Sequence, residues 1–280
     1  METPFEKPPT AEVPGEQNRI GELAKILAPE GQVELKRNPN EHVHKNDAGY
    51  GHIIGQIHDS DIKSDKLRVG LIVGNGAILS SLPDVPTDIV IMSDYNPFIH
   101  EWTRFTAEAL EQSESIEDFR RRVYSEENPL YSELLKQGAK PDEGLQREMQ
   151  DLGQKHFLSS EKRFQECKEA VGKKQLLMAA VDLRDQTYLA RLAEGMKEQN
   201  AEVTFANLTN VWEHAGNGLA DALPRLPFHP QAVILQSSRA YTDRFYPKMM
   251  GVCRGLSAYI ENARSAYSFW SYKNSQKGRS

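Results

Sequence analysis

Leu67-Arg68-Val69-Gly70-Leu71-Ile72-Val73-Gly74-Asn75-Gly76 is the stretch on which the fold turns. It is an almost continuous apolar run that shows no polar alternation and stops at two glycines. A strand of this kind is buried on both faces, as in a parallel sheet covered by helices on each side. Four more runs repeat the pattern: Asp88–Met92, Gln175–Val181, Glu202–Ala206 and Gln231–Leu235. Each ends at a polar residue: Ser93-Asp94, Asp182, Asn207 and Gln236. Tyr188–Gln199 carries Leu189, Leu192, Ala193 and Met196 at helical spacing and precedes the fourth run. Strand and helix in alternation predict an α/β fold with a Rossmann-like, mostly parallel sheet flanked by helices and right-handed crossovers.

One interval is too long for a single crossover. About 80 residues separate Asp94 from Lys174, where a strand-helix-strand unit needs about 30. The spacing predicts five helices there: Phe98–Gln112, Ile116–Tyr124, Leu130–Gln137, Gly144–Leu152 and Ser160–Val171, the last with Ser159 or Ser160 as N-cap. This is a helical insertion after the second strand, over about 98–172. It starts at the edge of an open α/β sheet where ligands bind, which suits a lid.

Outside this frame the reading is coarser. Residues 1–16 are proline-rich and aperiodic and read as a disordered arm. Residues 17–66 read as one short helix, Gln17–Ala28, and a loop-rich segment over the pocket, with an extended piece at Gly51–His58. Residues 67–280 read as the main domain. A helix near Met250–Ala263 and a strand near Ala266–Tyr272 follow the fifth strand, and the tail from Ser271 is polar. The aromatic group Trp212, Tyr259, Tyr267, Phe269, Trp270 and Tyr272 suits core or sheet-edge packing, or a stacking surface for a planar substrate.

Composition narrows the classes. The chain has 280 residues, 39% hydrophobic and 26% charged, with a formal net charge of −6. No apolar run approaches the ~18 residues of a membrane span, and no basic-then-apolar leader opens the sequence. Two cysteines, Cys167 and Cys253, exclude a disulfide scaffold and point to a reducing, cytoplasmic setting. The acidic balance leads us to expect no long nucleic acid as partner, since such binding needs a basic face. The sequon Asn207-Leu208-Thr209 is discounted for want of a leader and because it is predicted buried.

The strand ends carry the chemistry. Gly74-Asn75-Gly76 lets the backbone turn tightly and approach a ligand; it also reads as a plain turn. Asp94 can accept ribose hydroxyl hydrogen bonds, or cap the segment before Asn96-Pro97. Asp182, in Val181-Asp182-Leu183-Arg184-Asp185, can accept an adenine amino group, or cap the following helix. Asn207 ends the fourth strand in Ala206-Asn207-Leu208-Thr209-Asn210. Taken in order along one sheet edge, these four types have no packing reason of their own.

In that order the motifs Gly74-Asn75-Gly76, Met92-Ser93-Asp94-Tyr95-Asn96-Pro97, Val181–Asp185 and Ala206–Asn210 resemble those of class I S-adenosylmethionine-dependent methyltransferases. The resemblance spans roughly 67–240 at superfamily level. It implies that Gly74, Asn75 and Gly76 pass under the amino-acid part of S-adenosylmethionine and that Asp94, followed by Tyr95, holds the ribose. Asp182 and Leu183 would frame the adenine, and Asn207 would lie near the transferred group. It also implies a monomer or homodimer, and no metal. The chain departs from the pattern in having no acidic residue near Leu71 or Val73 and Ile78 in place of a third glycine.

The acceptor is expected to be a small molecule or a protein side chain. Candidate bases are His214, Glu213, Tyr241 and His100, each also readable as a structural residue. Transfer of an aminocarboxypropyl group would use the same cofactor pocket, and a non-catalytic adenosine-binding module the same fold. A nicotinamide oxidoreductase fits less well, because Leu79 takes the last glycine position of its fingerprint. His42, His44, His52 and His58 cluster with Glu41 and Asp59, but their spacing matches no metal signature.

Overall fold

The computed structural model describes residues 16–27, 37–39, 50–58, 62–75, 77–180, 183, 185–209, 221–238 and 249–262. Its centre is a six-stranded sheet: β1 (Leu67–Val73), β2 (Ile89–Asp94), β3 (Gln175–Ala180), β4 (Ala201–Asn207), β5 (Phe228–Ser238) and β6 (Met249–Arg254). The order is β3-β2-β1-β4-β5-β6. The first five strands run parallel, and β6 is antiparallel to β5. The fold is thus α/β and Rossmann-like, as the apolar runs predict.

Alternation along each strand divides the sheet into two faces. Val90 and Met92 of β2, with Ile72, Phe205, Val233 and Leu235, belong to one core. Ile89 and Ile91, with Leu67, Val69, Leu71, Ala179, Val203 and Ile234, belong to the other. A register shift between Val203 and Phe205 puts these two residues, which regular alternation would keep together, on opposite faces. The second face is covered by α1 (Glu16–Leu27) and α9 (Gln186–Glu198), together with Tyr259 from the helical segment 256–262. The first face carries α2 (Tyr50–His58), the single-turn α3 (Ile78–Ser81) and the insertion.

The insertion comprises α4 (Pro97–Gln112), α5 (Ile116–Val123), α6 (Pro129–Lys136), α7 (Pro141–Leu152) and α8 (Glu161–Lys173). Its starts follow local rules. Asn96, Ser115, Asn128 and Ser160 each accept a first-turn backbone N–H, and Pro97, Pro129 and Pro141 sit where their missing N–H has no cost. Phe119 of α5 is fully buried, edge-on to Tyr124, Phe157 and Phe164, and joins the helices into one block. Arg163 of α8 fastens that block to α3, donating to Ser80 O at 2.7 Å and pairing with Asp84.

Two expectations are corrected. Residues 50–58 are a helix, not an extended piece. Tyr50, Ile53, Ile54 and Ile57 fall on one side and are all buried, where α2 packs against α7 and β6. Residues 249–254 are a strand, and the helix expected from Met250 begins only at 256. Gly255 makes the turn with φ 79°, and its N–H donates to Ala232 O at 2.9 Å; a Cβ there would strike Pro230 O at 2.7 Å. Of the arm expected over 1–16, Glu16 already belongs to α1; the rest of it and the strand expected near Ala266–Tyr272 lie outside the described residues.

Candidate functional site

β1 is the strand from which the chain departs in both directions, to β2 on one side and β4 on the other. In open α/β sheets the crevice beyond the carboxyl ends at such a switch point is where ligands bind. Pairing of Val73 with Ser93, Ile72 with Asn207 and Asp94 with Ala180 sets the ends of β1, β2, β3 and β4 along one edge.

Gly74 leaves β1 with φ 68°, and its N–H continues the ladder to Ser93 O at 3.2 Å. Asn75 O accepts from Ile78 N at 2.9 Å, and Ala77 opens α3 in the left-handed region at φ 52°, ψ 39°. That conformation is costly for a residue with a Cβ, by about 1–2 kcal/mol. It marks the turn as held by its surroundings.

Asp94 ends β2 and is 9% exposed. Its Oδ1 accepts the Asn96 N–H at 2.7 Å. Its Oδ2 lies 3.5 Å from the point where a Cβ on Gly74 would stand. Loop and carboxylate therefore face each other directly. His100, one turn into α4, lies with Nε2 3.1 Å from Asp94 O, and burial lowers its pKa. The neutral ring then donates from Nε2 and braces the Asp94 backbone. Tyr95, next in sequence, is 56% exposed beside this edge.

Asn207 is fully buried, and its Oδ1 accepts from Thr209 N (3.3 Å) and Thr209 Oγ1 (2.9 Å). The Tyr50 hydroxyl interacts with the side chains of Ser81 and Asn207, and burial pushes its pKa up, so the phenol stays protonated. Tyr50 is a neighbour that sequence reasoning missed. Its only signal is an aromatic residue at the head of an apolar helical face.

Leu183 is buried in the second core with Tyr188 and Leu189, and Asp185 caps α9 through Thr187 N and Tyr188 N. Gly76, Asp182, Glu213, His214 and Tyr241 lie outside the described residues. The structure thus brings Gly74, Asn75, Asp94, Tyr95 and Asn207 to one sheet edge. Of the histidine cluster, His52 is exposed on α2 with Nε2 3.3 Å from Gln56 Nε2; His42, His44 and the His58 side chain are outside the described set. Among the described residues no three potential metal ligands come together, and no helix is long and apolar enough to cross a membrane.

A second cluster flanks Asp94. Arg37 donates from Nε and Nη2 to both oxygens of Glu101, at 2.9, 2.9 and 2.6 Å, and from Nη1 and Nη2 to Glu133 at 2.5 and 2.8 Å. The guanidinium also lies 4.7 Å from the centre of the Phe98 ring. Hydrogen bonding to Glu133 and Glu101 holds Arg37 above its ordinary pKa, and the same contact holds Glu133 below the usual carboxylate range.

Sheet order, switch point and strand-end residues define a Rossmann-like α/β protein with a candidate ligand edge at β1, β2 and β4. The chain matches no family model and no curated protein. Among solved structures it is similar to the rRNA methyltransferase aviRa from Streptomyces viridochromogenes, with a TM-score of 0.43 and 15% identity, over 86% of this chain and 95% of that one. The expectation of no long nucleic acid as partner is withdrawn. The physical reason the exclusion fails is that net charge averages over local faces: Arg120, Arg121 and Arg122 are exposed in succession on α5 of an acidic chain.

Proposed function

We propose that this chain is an S-adenosylmethionine-dependent, methyltransferase-like transferase, with the ligand at the ends of β1, β2 and β4. The observation that carries the reading is the opposition of Gly74 and Asp94. A left-handed glycine at the switch point faces a carboxylate on the neighbouring strand, and Asp94 Oδ2 is the nearest atom to its missing Cβ, at 3.5 Å.

The residues present fit such a ligand in type and place. The Gly74 backbone is open to close approach, the Asp94 carboxylate suits a vicinal diol, and Tyr95 offers an exposed ring beside them. When bound, S-adenosylmethionine supplies a methyl group on a positively charged sulfur, open to in-line attack by a nucleophile. The chain's share is to position and to exclude water. Gly74 and Asn75 would seat the amino-acid part, Asp94 would fix the ribose, and Asp182 with Leu183 would bound the adenine. The insertion, starting directly after Asp94 and Tyr95, would cover the acceptor. Its neutral phenol makes Tyr50 a hydrogen-bond donor or acceptor toward Asn207 rather than a general base. His214 and Tyr241 remain the proposed bases.

The test is calorimetry with S-adenosylmethionine, S-adenosylhomocysteine and NAD. Both adenosyl ligands are expected to bind and NAD to fail. Asp94→Asn retains an acceptor for the Asn96 N–H while losing the charge, and should weaken adenosyl binding by about one to two decades, or 1–3 kcal/mol. Unchanged affinity in the folded variant would refute the assignment. The acceptor is then sought among small molecules, protein side chains and RNA, and the mass of the product separates methyl from aminocarboxypropyl transfer. A second reading, a non-catalytic binder of adenosine ligands, is favoured by one observation: Asn207 is fully buried and its oxygen is taken up by Thr209. Ligand binding with no transfer to any acceptor class would select it.

A further inference from the structure

Asn96 sits between Asp94 and a segment almost sixty positions upstream. Its N–H donates to Asp94 Oδ1 at 2.7 Å. Its own Oδ1 accepts from Phe98 N and from Asn38 N, both at 3.0 Å, and its Nδ2 donates to Asn38 O at 2.7 Å. The Asn38 backbone and the Asn96 amide thus form a two-way pair, closed like a strand pairing. Asn96 is fully buried.

The strap formed by residues 37–39 is itself anchored next door. Arg37 holds Glu101 of α4 with Nε and Nη2 and Glu133 of α6 with both terminal nitrogens, and lies over Phe98. One guanidinium joining two carboxylates in forked geometry fixes three side chains at once. These partners are 64 and 96 positions away in sequence. A contact between elements so distant, ending on the turn that sets a binding carboxylate, does more than cap a helix. Asn96 would cap α4 through Phe98 N without any help from Asn38.

We propose that Arg37 is a positioning residue for the ligand site: it latches the 37–39 strap to α4 and α6, and through Asn38 and Asn96 it sets the Asp94 carboxylate for the ribose of an adenosyl ligand. The inference rests on the proposed adenosyl site and adds the strap as part of its construction. The insertion is coupled to the site by the same latch, because Glu133 lies on α6. Both halves of the latch are charged and 33–41% exposed, so salt should weaken it.

The test is a double-mutant cycle read by calorimetry with S-adenosylhomocysteine on the full chain. Arg37→Ala should weaken binding about tenfold in the wild-type background and by less than twofold in the Asp94→Asn background, because its effect passes through that carboxylate. Arg37→Lys keeps the charge but cannot fork onto both glutamates, and should show an intermediate loss; it carries the test if the alanine variant does not fold. A purely structural role would lower the unfolding midpoint and leave affinity untouched, or lower affinity equally in both backgrounds, and either result overturns the proposal. Loss of binding in Asp94→Asn with none in either Arg37 variant overturns the latch alone. Absence of binding in the wild type overturns the adenosyl reading, and the latch falls with it.

Discussion

At Gly74 a side chain would point at Asp94. Gly74→Ala places a methyl 3.5 Å from Oδ2, an ordinary contact, in a backbone region that L residues avoid. The variant should lose about 1 kcal/mol of stability from backbone strain, measured as a lower urea midpoint at unchanged slope. It should also bind the adenosyl ligand more weakly than the wild type, since the approach to the backbone is narrowed. Lys174 offers a residue-scale test away from the site. Its Nζ donates to Leu82 O and Val85 O, both at 2.6 Å, and burial pushes its pKa down to about 8. The unfolded chain then holds more protons than the folded one between about pH 8 and the ordinary lysine value of 10.5. Stability relative to Lys174→Met should therefore rise with pH across that window and be flat below it. Urea midpoints of both proteins at pH 7 and pH 10 check the sign.

The elements divide by how local their causes are. The helices of the insertion were legible from their apolar spacing, with Ser160 marking the last start; α7 begins at Pro141, ahead of the expected Gly144, where Lys140 makes no side-chain cap. Five of the six strands were legible because runs such as Val90-Ile91-Met92 are apolar on both faces. α2 was not. Glycines and β-branched residues in Gly51–His58 favour an extended reading by propensity, whereas the buried set Tyr50, Ile53, Ile54 and Ile57 is helical only once its packing against α7 and β6 is known. β6 escaped for a similar reason: its pairing partner β5 decides it, and Gly255 ends it. Within the insertion, Phe119→Ala should cost about 3–5 kcal/mol, because it empties a site enclosed by Tyr124, Phe157 and Phe164. Denaturant unfolding measures it, and a loss below about 1 kcal/mol would mean that the helices do not share one core.

On the scale of the whole molecule, ligand and fold are linked. A ligand that binds only the folded chain stabilises it by about 2.7 kcal/mol at a hundredfold excess over its dissociation constant. For a chain of this size that is a rise of roughly 5–10 °C in the thermal midpoint. S-adenosylhomocysteine is expected to produce that rise in the wild type and a smaller one in Asp94→Asn at equal concentration. Differential scanning fluorimetry reads both, and an equal rise in the two proteins would place the ligand elsewhere than at Asp94. The sheet has a core on each face, and the insertion fills one of them together with α2. Cutting the insertion out would uncover Val90 and Met92 of β2 as well as remove a cover from the site, so point variants are the better probes.

By itself the sequence determined the parts whose cause lies within a few residues: apolar strands, capped helix starts, the glycine turn after β1, and the residue types that end β1, β2 and β4. Backbone sterics, capping hydrogen bonds and apolar periodicity act over that range. The tertiary structure alone decided which strands are neighbours, that α2 closes one face, that Tyr50 meets Asn207, and that Arg37 and Asn38 reach the Asp94 turn. Those contacts join positions tens of residues apart. They form because burial and pairing favour the whole assembly, and no local pattern records them.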